Sequence, residues 1–154
     1  MNPERRLQEL HLVLPPAAKP VGVYKPAVRV GNLLYLSGHG PLKPDGTLIL
    51  GRVGENLTLE EGKQAARQVG LSVLATMRDV LGSLDKAKRL IKTLGLVQCT
   101  PDFKDQPKVI NGFSELMADL FGSESGIGAR SAVGATALPG GMAVEIECIW
   151  EVQP

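Results

Sequence analysis

The sequence of 154 residues is poor in the residues on which several classes of protein depend. Aromatic side chains make up only 4% of it, so the core of the fold must be built from Leu, Val, Ile and Ala. There are two histidines and two cysteines, too few for a disulfide framework or a cluster of metal ligands. Cys99 and Cys148 each lie inside an apolar, strand-like run, and we expect both to be buried free thiols.

A large charge of one sign is also missing. The formal net charge is +1, and the only basic blocks are Arg5-Arg6 and Lys86-Ala87-Lys88-Arg89. Proteins that bind nucleic acids normally carry a basic stripe. The sequence therefore argues against nucleic acid as a partner.

Long apolar runs are absent as well. No run approaches the ~18 apolar residues that a membrane-spanning helix needs. Glu4, Glu9 and His11 interrupt the apolar core that a secretory signal would have near the start of the chain. We expect a cytoplasmic protein with no membrane partner.

The segments that are present are typical of one α+β domain. We place that domain at residues 21–154, after a proline-containing N-terminal arm at residues 1–20. The predicted order is β-β-β-α-β-α-β-β, with strands near 28–30, 33–38, 47–50, 89–100, 131–138 and 142–152. Because strands gather at both ends with helices between them, a single mixed sheet with two helices packed on one face is the natural solution.

Start and stop signals define the two main helices. Thr58 and Glu61 have the spacing of a capping box at the start of the first, and Gly82 is a typical residue just past its end. The second helix is predicted to begin near Pro107 and to end at Gly122.

The last strand presents two different rows of side chains. One row is apolar (Val144, Ile146, Cys148, Trp150 and Val152), and the other is mixed (Glu145, Glu147, Ile149 and Glu151). One row packs on the helices, and the other must meet water or another subunit.

Few side chains are candidates for chemistry, because the sequence has no nucleophile elbow and no P-loop. His39 is either a general base or a surface or hydrogen-bonded loop residue. Arg130 opens a strand of small residues, where a fixed guanidinium can bind a carboxylate through two parallel hydrogen bonds, although an arginine at a strand start also commonly faces solvent. Glu145 and Glu147 form a solvated acidic face, or one of them is a proton carrier with a raised pKa.

Several segments match the pattern of one known family. They are Ala129-Arg130-Ser131-Ala132-Val133, Leu138-Pro139, Val144-Glu145-Ile146-Glu147, the strand from Gly31 to Gly38, Gln64-Ala65-Ala66-Arg67-Gln68 and Lys92-Thr93. Together they resemble the Rid family, also known as YjgF-type or "endoribonuclease L-PSP" proteins. The resemblance covers roughly Val23 to Val152.

The resemblance implies a chorismate-mutase-like homotrimer that hydrolyses 2-aminoacrylate and related enamine or imine acids to 2-keto acids and ammonia. No cofactor and no metal are implied. By resemblance, Arg130 is the carboxylate anchor, Glu145 the acid/base or water-positioning group, and Tyr24 the residue that closes the pocket. The implied substrate-binding residues are Ser37, Gly38, Asn111 and the backbone of Ala132.

Two departures from the family pattern bear on function. The family's frequent cysteine is Ala132 here, so a mechanism that requires this thiol is excluded. The segment Ser37-Gly38-His39-Gly40-Pro41 replaces the commoner S-G-Q-x-P form, which indicates a divergent subgroup with another substrate. The alternatives are a non-catalytic protein that binds small carboxylate metabolites and, less favoured by the near-neutral charge and the lack of a histidine pair, a ribonuclease.

Strand geometry places the site between subunits. A hairpin between the last two strands would set Glu145 opposite residue 135 or 136, ~17–20 Å from Arg130 at about 3.3 Å per residue. Two side chains so far apart can hardly touch one small ligand. We therefore expect a small-carboxylate site at the interface of a homo-oligomer, which would also cover the free face of the sheet.

Overall fold

One five-stranded sheet organises the chain in the computed structural model, which describes all 154 residues. Its strands are β1 (Ala27–Val30), β2 (Leu33–His39), β3 (Ala87–Gln98), β4 (Ala129–Ala135) and β5 (Val144–Val152). Their order across the sheet is β1-β2-β5-β3-β4. Only β3 and β4 are parallel, so the sheet is mixed, as the sequence predicts.

Three helices complete the fold: α1 (Pro3–Glu9), α2 (Leu59–Leu81) and α3 (Gln106–Gly126). The apolar row of β5 shares one core with the buried sides of α2 and α3. The mixed row of β5 therefore lies on a face that no helix covers. The α+β prediction with two helices on one face is confirmed.

Local signals account for the bounds of α2. The Thr58 side chain accepts a hydrogen bond from the Glu61 N–H, and the Glu61 carboxylate accepts one from the Thr58 N–H. Gly82 ends the helix with a φ of 81°, a left-handed conformation that glycine adopts at little cost. The capping box and the glycine stop are both confirmed.

The two long helices approach each other closely through glycine. A Cβ atom on Gly112 of α3 would clash with the backbone of Lys63 in α2, and one on Gly70 of α2 would lie 2.7 Å from the Leu116 side chain. Pro107 lies in the first turn of α3, as predicted, whereas Gly122 interrupts the helix with a φ of 83° and a further turn follows it.

The predicted strand at residues 47–50 is wrong. Leu48 and Leu50 make only isolated bridges, to Leu42 and Met142. The two neighbours of β2 in the sheet are β1 and β5, so a third N-terminal strand has no free edge to join there. The segment instead folds back at a turn in which the Lys43 N–H donates to the Thr47 carbonyl.

The predicted hairpin between the last two strands is also wrong. β3 lies between β4 and β5, and Leu96 of β3 pairs with Val133 on one side and Glu145 on the other. Residues 136–143 cross from one flank of β3 to the other. A short Pro-Gly-Gly connection looks like a hairpin in the sequence, but here it forms one 3-10 turn within that crossing.

The N-terminal arm packs on the helical side of the domain. Leu7 of α1 is buried, and the Glu4 carboxylate accepts hydrogen bonds from Arg78 Nη2 (2.6 Å) and from the Leu84 N–H (2.8 Å). Cys99 and Cys148 are buried free thiols, as expected. None of the helices combines the length and the apolar character that a transmembrane span requires.

Candidate functional site

Arg130 is held by α3. Its Nη1 donates to Asn111 Oδ1 at 2.8 Å and to Ser114 Oγ at 3.1 Å, and its Nη2 lies 3.5 Å from the Pro107 carbonyl oxygen. Asn111 and Ser114 lie one helical turn apart, so their side chains share a face of α3. Arg130 is therefore half-buried and fixed, and it does not simply face solvent.

All of these partners of Arg130 are neutral. No carboxylate of the chain forms an ion pair with it. A guanidinium fixed by neutral hydrogen-bond acceptors keeps its full charge for an anion. Arg130 and Asn111, which the resemblance implied as two parts of one site, are in direct contact.

A cavity of about 370 Å³ lies beside Arg130, between α3 and the start of β4. Its volume is at the lower end of the range for small-molecule sites. Small side chains on α3 leave this space open. The residues around it are Leu90, Thr93, Asn111, Ser114, Glu115, Ala118, Gly126, Ile127, Gly128 and Arg130.

Glu145 lies against Gly38 on the face of the sheet without helices. The pairing of β2 with β5 shifts register between Leu36 and His39, and this irregularity brings the Gly38 backbone close to the Glu145 carboxylate. A Cβ atom on Gly38 would clash with Glu145 Oε1 and lie 2.9 Å from its carboxyl carbon. Ser37 is anchored beside them, because its hydroxyl donates to the Lys25 carbonyl at 2.6 Å.

The Glu145 carboxyl group is only partly solvated. Its burial raises its pKa above the ordinary value, and the charge of Glu147 two residues away raises it further. A carboxyl with a raised pKa can exchange a proton nearer to neutral pH. Glu145 is partly buried whereas Glu147 is exposed, so the two residues do not form a uniformly solvated acidic face.

His39 is a buried hydrogen-bonded residue. Only 3% of it is exposed. Its Nδ1 lies 2.6 Å from the Ser37 carbonyl oxygen, which can only accept, so Nδ1 carries the hydrogen and Nε2 accepts from the Thr76 hydroxyl at 2.8 Å. Burial lowers the pKa of His39, so the ring is neutral. His39 links the irregular end of β2 to α2 and is enclosed away from solvent.

The remaining candidates occupy less defined positions. Tyr24 lies before β1 and is 47% exposed, and its hydroxyl accepts a long hydrogen bond from the Val21 N–H (3.5 Å). It makes no hydrogen bond to Arg130 or Glu145. Ala132 lies two residues after Arg130 in β4 and packs against the core.

The structure thus forms two separate clusters of candidate residues in one chain. Asn111, Ser114 and Arg130 make one on the helix-covered side, and Ser37, Gly38 and Glu145 make the other on the free face. Sequence reasoning missed Ser114. Its position one turn after Asn111 was the available signal, because residues three apart on a helix share a face.

Comparison with known proteins agrees with this architecture. Residues 4–144 match the family described as "YjgF/chorismate_mutase-like, putative endoribonuclease". Protein TCP17 of Trypanosoma cruzi is 41% identical over 146 residues, which cover 95% of this chain and 91% of that protein.

Solved structures show the same fold. The crystal structure of the protein Atu1372 from Agrobacterium tumefaciens, whose function is described as unknown, has a TM-score of 0.89 at 38% identity and covers 99% of this chain and 92% of its own. RidA from the Antarctic bacterium Psychrobacter sp. PAMC 21119 has a TM-score of 0.60 at 30% identity, with 90% and 94% covered. The chain belongs to the YjgF/chorismate-mutase-like family, to which the Rid proteins also belong.

Proposed function

We propose that this protein hydrolyses small 2-enamine and 2-imine acids to 2-keto acids and ammonia, without a cofactor, in the cytoplasm. The observation that carries the proposal is this pair of clusters, which we interpret as two half-sites of one active site, the Arg130 half-site and the Glu145 half-site. One offers a fixed cation with no counter-ion, and the other offers a partly desolvated carboxyl group. Anchoring of an acid and proton transfer at its imine are what these two groups can supply.

The proposed reaction uses the Arg130 guanidinium, the Glu145 carboxyl group and one water molecule. The substrate carboxylate docks on Arg130, where each charge-assisted hydrogen bond contributes roughly 1.5–3 kcal/mol. The imine nitrogen takes up a proton, water adds to the imine carbon, and Glu145 accepts the proton that the water gives up. The amino group of the tetrahedral intermediate then takes that proton back from Glu145 and leaves as ammonia. The hydroxyl group loses its proton to water as the keto group forms, which replaces the proton that the imine first took up. General acid/base assistance of this kind typically gives ~10²–10⁴-fold.

The two half-sites meet only if subunits associate, so a homotrimer is part of the proposal. The face of the sheet without helices supports it, because it exposes apolar side chains that a monomer would leave in water. They include Val28, Val30, Tyr35 and Val133, each more than 40% exposed. Large exposed apolar surfaces usually mark protein interfaces, and rotational symmetry would repeat the same contact at each site.

The direct test is Arg130→Ala with 2-iminopropionate generated in the assay by an amino-acid oxidase. We expect loss of the accelerated ammonia release while the protein stays folded and oligomeric by light scattering. Arg5→Ala is a matched control, because Arg5 lies on the exposed arm and pairs only with groups of α1 and its cap. Turnover by Arg130→Ala close to that of Arg5→Ala would remove Arg130 from the mechanism.

The second candidate is a non-catalytic binder of small carboxylates. The observation that favours it is Ala132 at the position of the family's frequent cysteine, because the Arg130 half-site would still bind an acid without it. Ammonia release separates the two functions, since a binder would retain pyruvate and accelerate nothing. A ribonuclease is less favoured, because His39 is enclosed and has no second histidine beside it.

A further inference from the structure

The hydrogen bonds to Arg130 fix which edge of its guanidinium is available. Nη1 carries two hydrogens and donates to two acceptors, Asn111 Oδ1 and Ser114 Oγ. The end-on fork of a guanidinium needs one hydrogen from each terminal nitrogen, so it is closed here. The side-on fork, made by Nε–H and one hydrogen of Nη2, remains.

No protein group accepts hydrogen bonds from both nitrogens of this side-on edge. The only further bond of Arg130 is the long one from Nη2 to the Pro107 carbonyl, at 3.5 Å, and Nε has no partner in the chain. Nη2 carries two hydrogens, and this one long contact engages at most one of them. Two parallel N–H groups of this kind match the two oxygens of a carboxylate.

We propose that Ser114 is a positioning residue that, with Asn111, turns the Arg130 guanidinium so that a ligand carboxylate binds its Nε/Nη2 edge. A single hydrogen bond to Asn111 would let the Arg130 guanidinium turn about that contact. Two acceptors one helical turn apart fix the plane of the guanidinium. The inference rests on the proposed function for the ligand class, and it adds the residue that orients the anchor.

The size of Ser114 serves the same site. It borders the cavity of about 370 Å³ together with Ala118 and Arg130, and a larger side chain at position 114 would extend into that space. Serine supplies the hydroxyl acceptor without filling the cavity. Threonine keeps the hydroxyl and adds one methyl group, so it is the conservative replacement.

The test is a titration of the protein with pyruvate, monitored by calorimetry and by NMR. The NMR readout is the ¹H–¹⁵N signal of the Arg130 Nε–H group, which is identified by its absence from the spectrum of Arg130→Ala. We expect pyruvate to shift the Nε–H signal of the wild type. We expect Ser114→Ala to weaken pyruvate binding roughly 3–10-fold, the loss of about one net hydrogen bond. In turnover assays KM should rise by a similar factor while kcat stays nearly constant.

Two variants separate positioning from a general effect on the fold. Ser114→Thr should restore binding to about twofold of the wild type, and Ser123→Ala, an exposed serine near the end of α3, should change nothing. Unchanged affinity in Ser114→Ala, or pyruvate binding that leaves the Nε–H signal in place, would overturn the inference and leave the proposed function standing. Equal pyruvate binding by wild type and Arg130→Ala, or none by the wild type, would overturn both.

Discussion

Arg130 and Glu145 lie on opposite faces of the same sheet. Arg130 points to the side covered by α3, where Asn111 and Ser114 hold it, whereas Glu145 alternates along β5 with Val144 and Ile146, which are buried under the helices. By register, the two residues are two strands apart and three residues apart along them, roughly 14 Å between Cα positions. The sheet itself separates the two groups that the proposed reaction needs, so one chain cannot bring them to the same small ligand.

Gly38 should be essential for activity, because any side chain there displaces Glu145. The Cβ atom of Gly38→Ala would clash with the Glu145 carboxylate. We expect loss of most of the turnover with little loss of stability, because the added Cβ meets the end of the flexible Glu145 side chain, which can move aside. Gly46→Ala tests whether an added methyl group alone matters, because nothing lies within 4 Å of a Cβ there. That control carries its own backbone strain, with a φ of 86°, and should cost stability without costing turnover. Full turnover by Gly38→Ala would show that the position of Glu145 is not important.

The raised pKa of Glu145 should appear in both the stability and the activity of the protein. Ionising this partly buried carboxyl is less favourable in the folded state than in the unfolded chain, where the pKa is about 4.5. Its contribution to stability is therefore present below that pH and lost as the pH rises through the folded value. Urea unfolding at fixed protein concentration should show Glu145→Gln to be more stable than the wild type at pH 7, with the difference vanishing near pH 3. Equal stability at both pH values would contradict the assigned environment.

Glu147 should control the acid limb of the activity profile. Its charge is the second cause of the raised pKa of Glu145, after burial. If ionised Glu145 accepts the proton from water, kcat/KM falls as the pH drops through that pKa. Glu147→Gln removes the repulsion, lowers the pKa of Glu145 and should move the acid limb to lower pH. An acid limb that moves to higher pH, or does not move, would show that the ionisation of Glu145 does not limit the reaction.

The N-terminal arm should stabilise the domain through Glu4. Burial raises the pKa of Glu4, but hydrogen bonds from Arg78 and the Leu84 N–H, with the charge of Arg78, together lower it below 4.5. Its contribution is therefore present above that pH and lost as the pH falls through the lower folded value. Glu4→Gln should cost about 1 kcal/mol in urea unfolding at pH 7, since the pair is partly exposed. Glu9→Gln, which alters only pairs within the exposed side of α1, should have a smaller effect, and the reverse order would contradict the packing of the arm.

Local signals in the sequence predict the helices and much of the site. The capping box at Thr58, the stop at Gly82 and the turn at Pro107 depend on neighbours within a few residues, and all three are where the sequence places them. The resemblance implied a single site that contains Arg130, Asn111, Gly38 and Glu145. In the structure Asn111 contacts Arg130 and Gly38 lies against Glu145, but the two pairs are apart within one chain. Their catalytic roles stay predictions.

Long-range pairing was not predictable in the same way. Leu48 and Leu50 have the composition of a strand, yet the edge they would need is taken by β1 and β5. The placement of β3 between β4 and β5 depends on contacts far apart in the chain, which no local pattern records. Ser114 was not predicted, because a single serine on a helix is informative only once Arg130 is known to face it.

Mixing two inactive variants tests the central claim most directly. Arg130→Ala and Glu145→Gln should each be inactive as homotrimers, but trimers reassembled from equal amounts of both should recover about a quarter of the wild-type ammonia release. That fraction follows because, in the proposed trimer, each site would take Arg130 from one subunit and Glu145 from its neighbour, and one arrangement in about four would carry both intact groups. No recovery in mixed trimers, verified by mass spectrometry to contain both chains, would contradict a site shared between subunits.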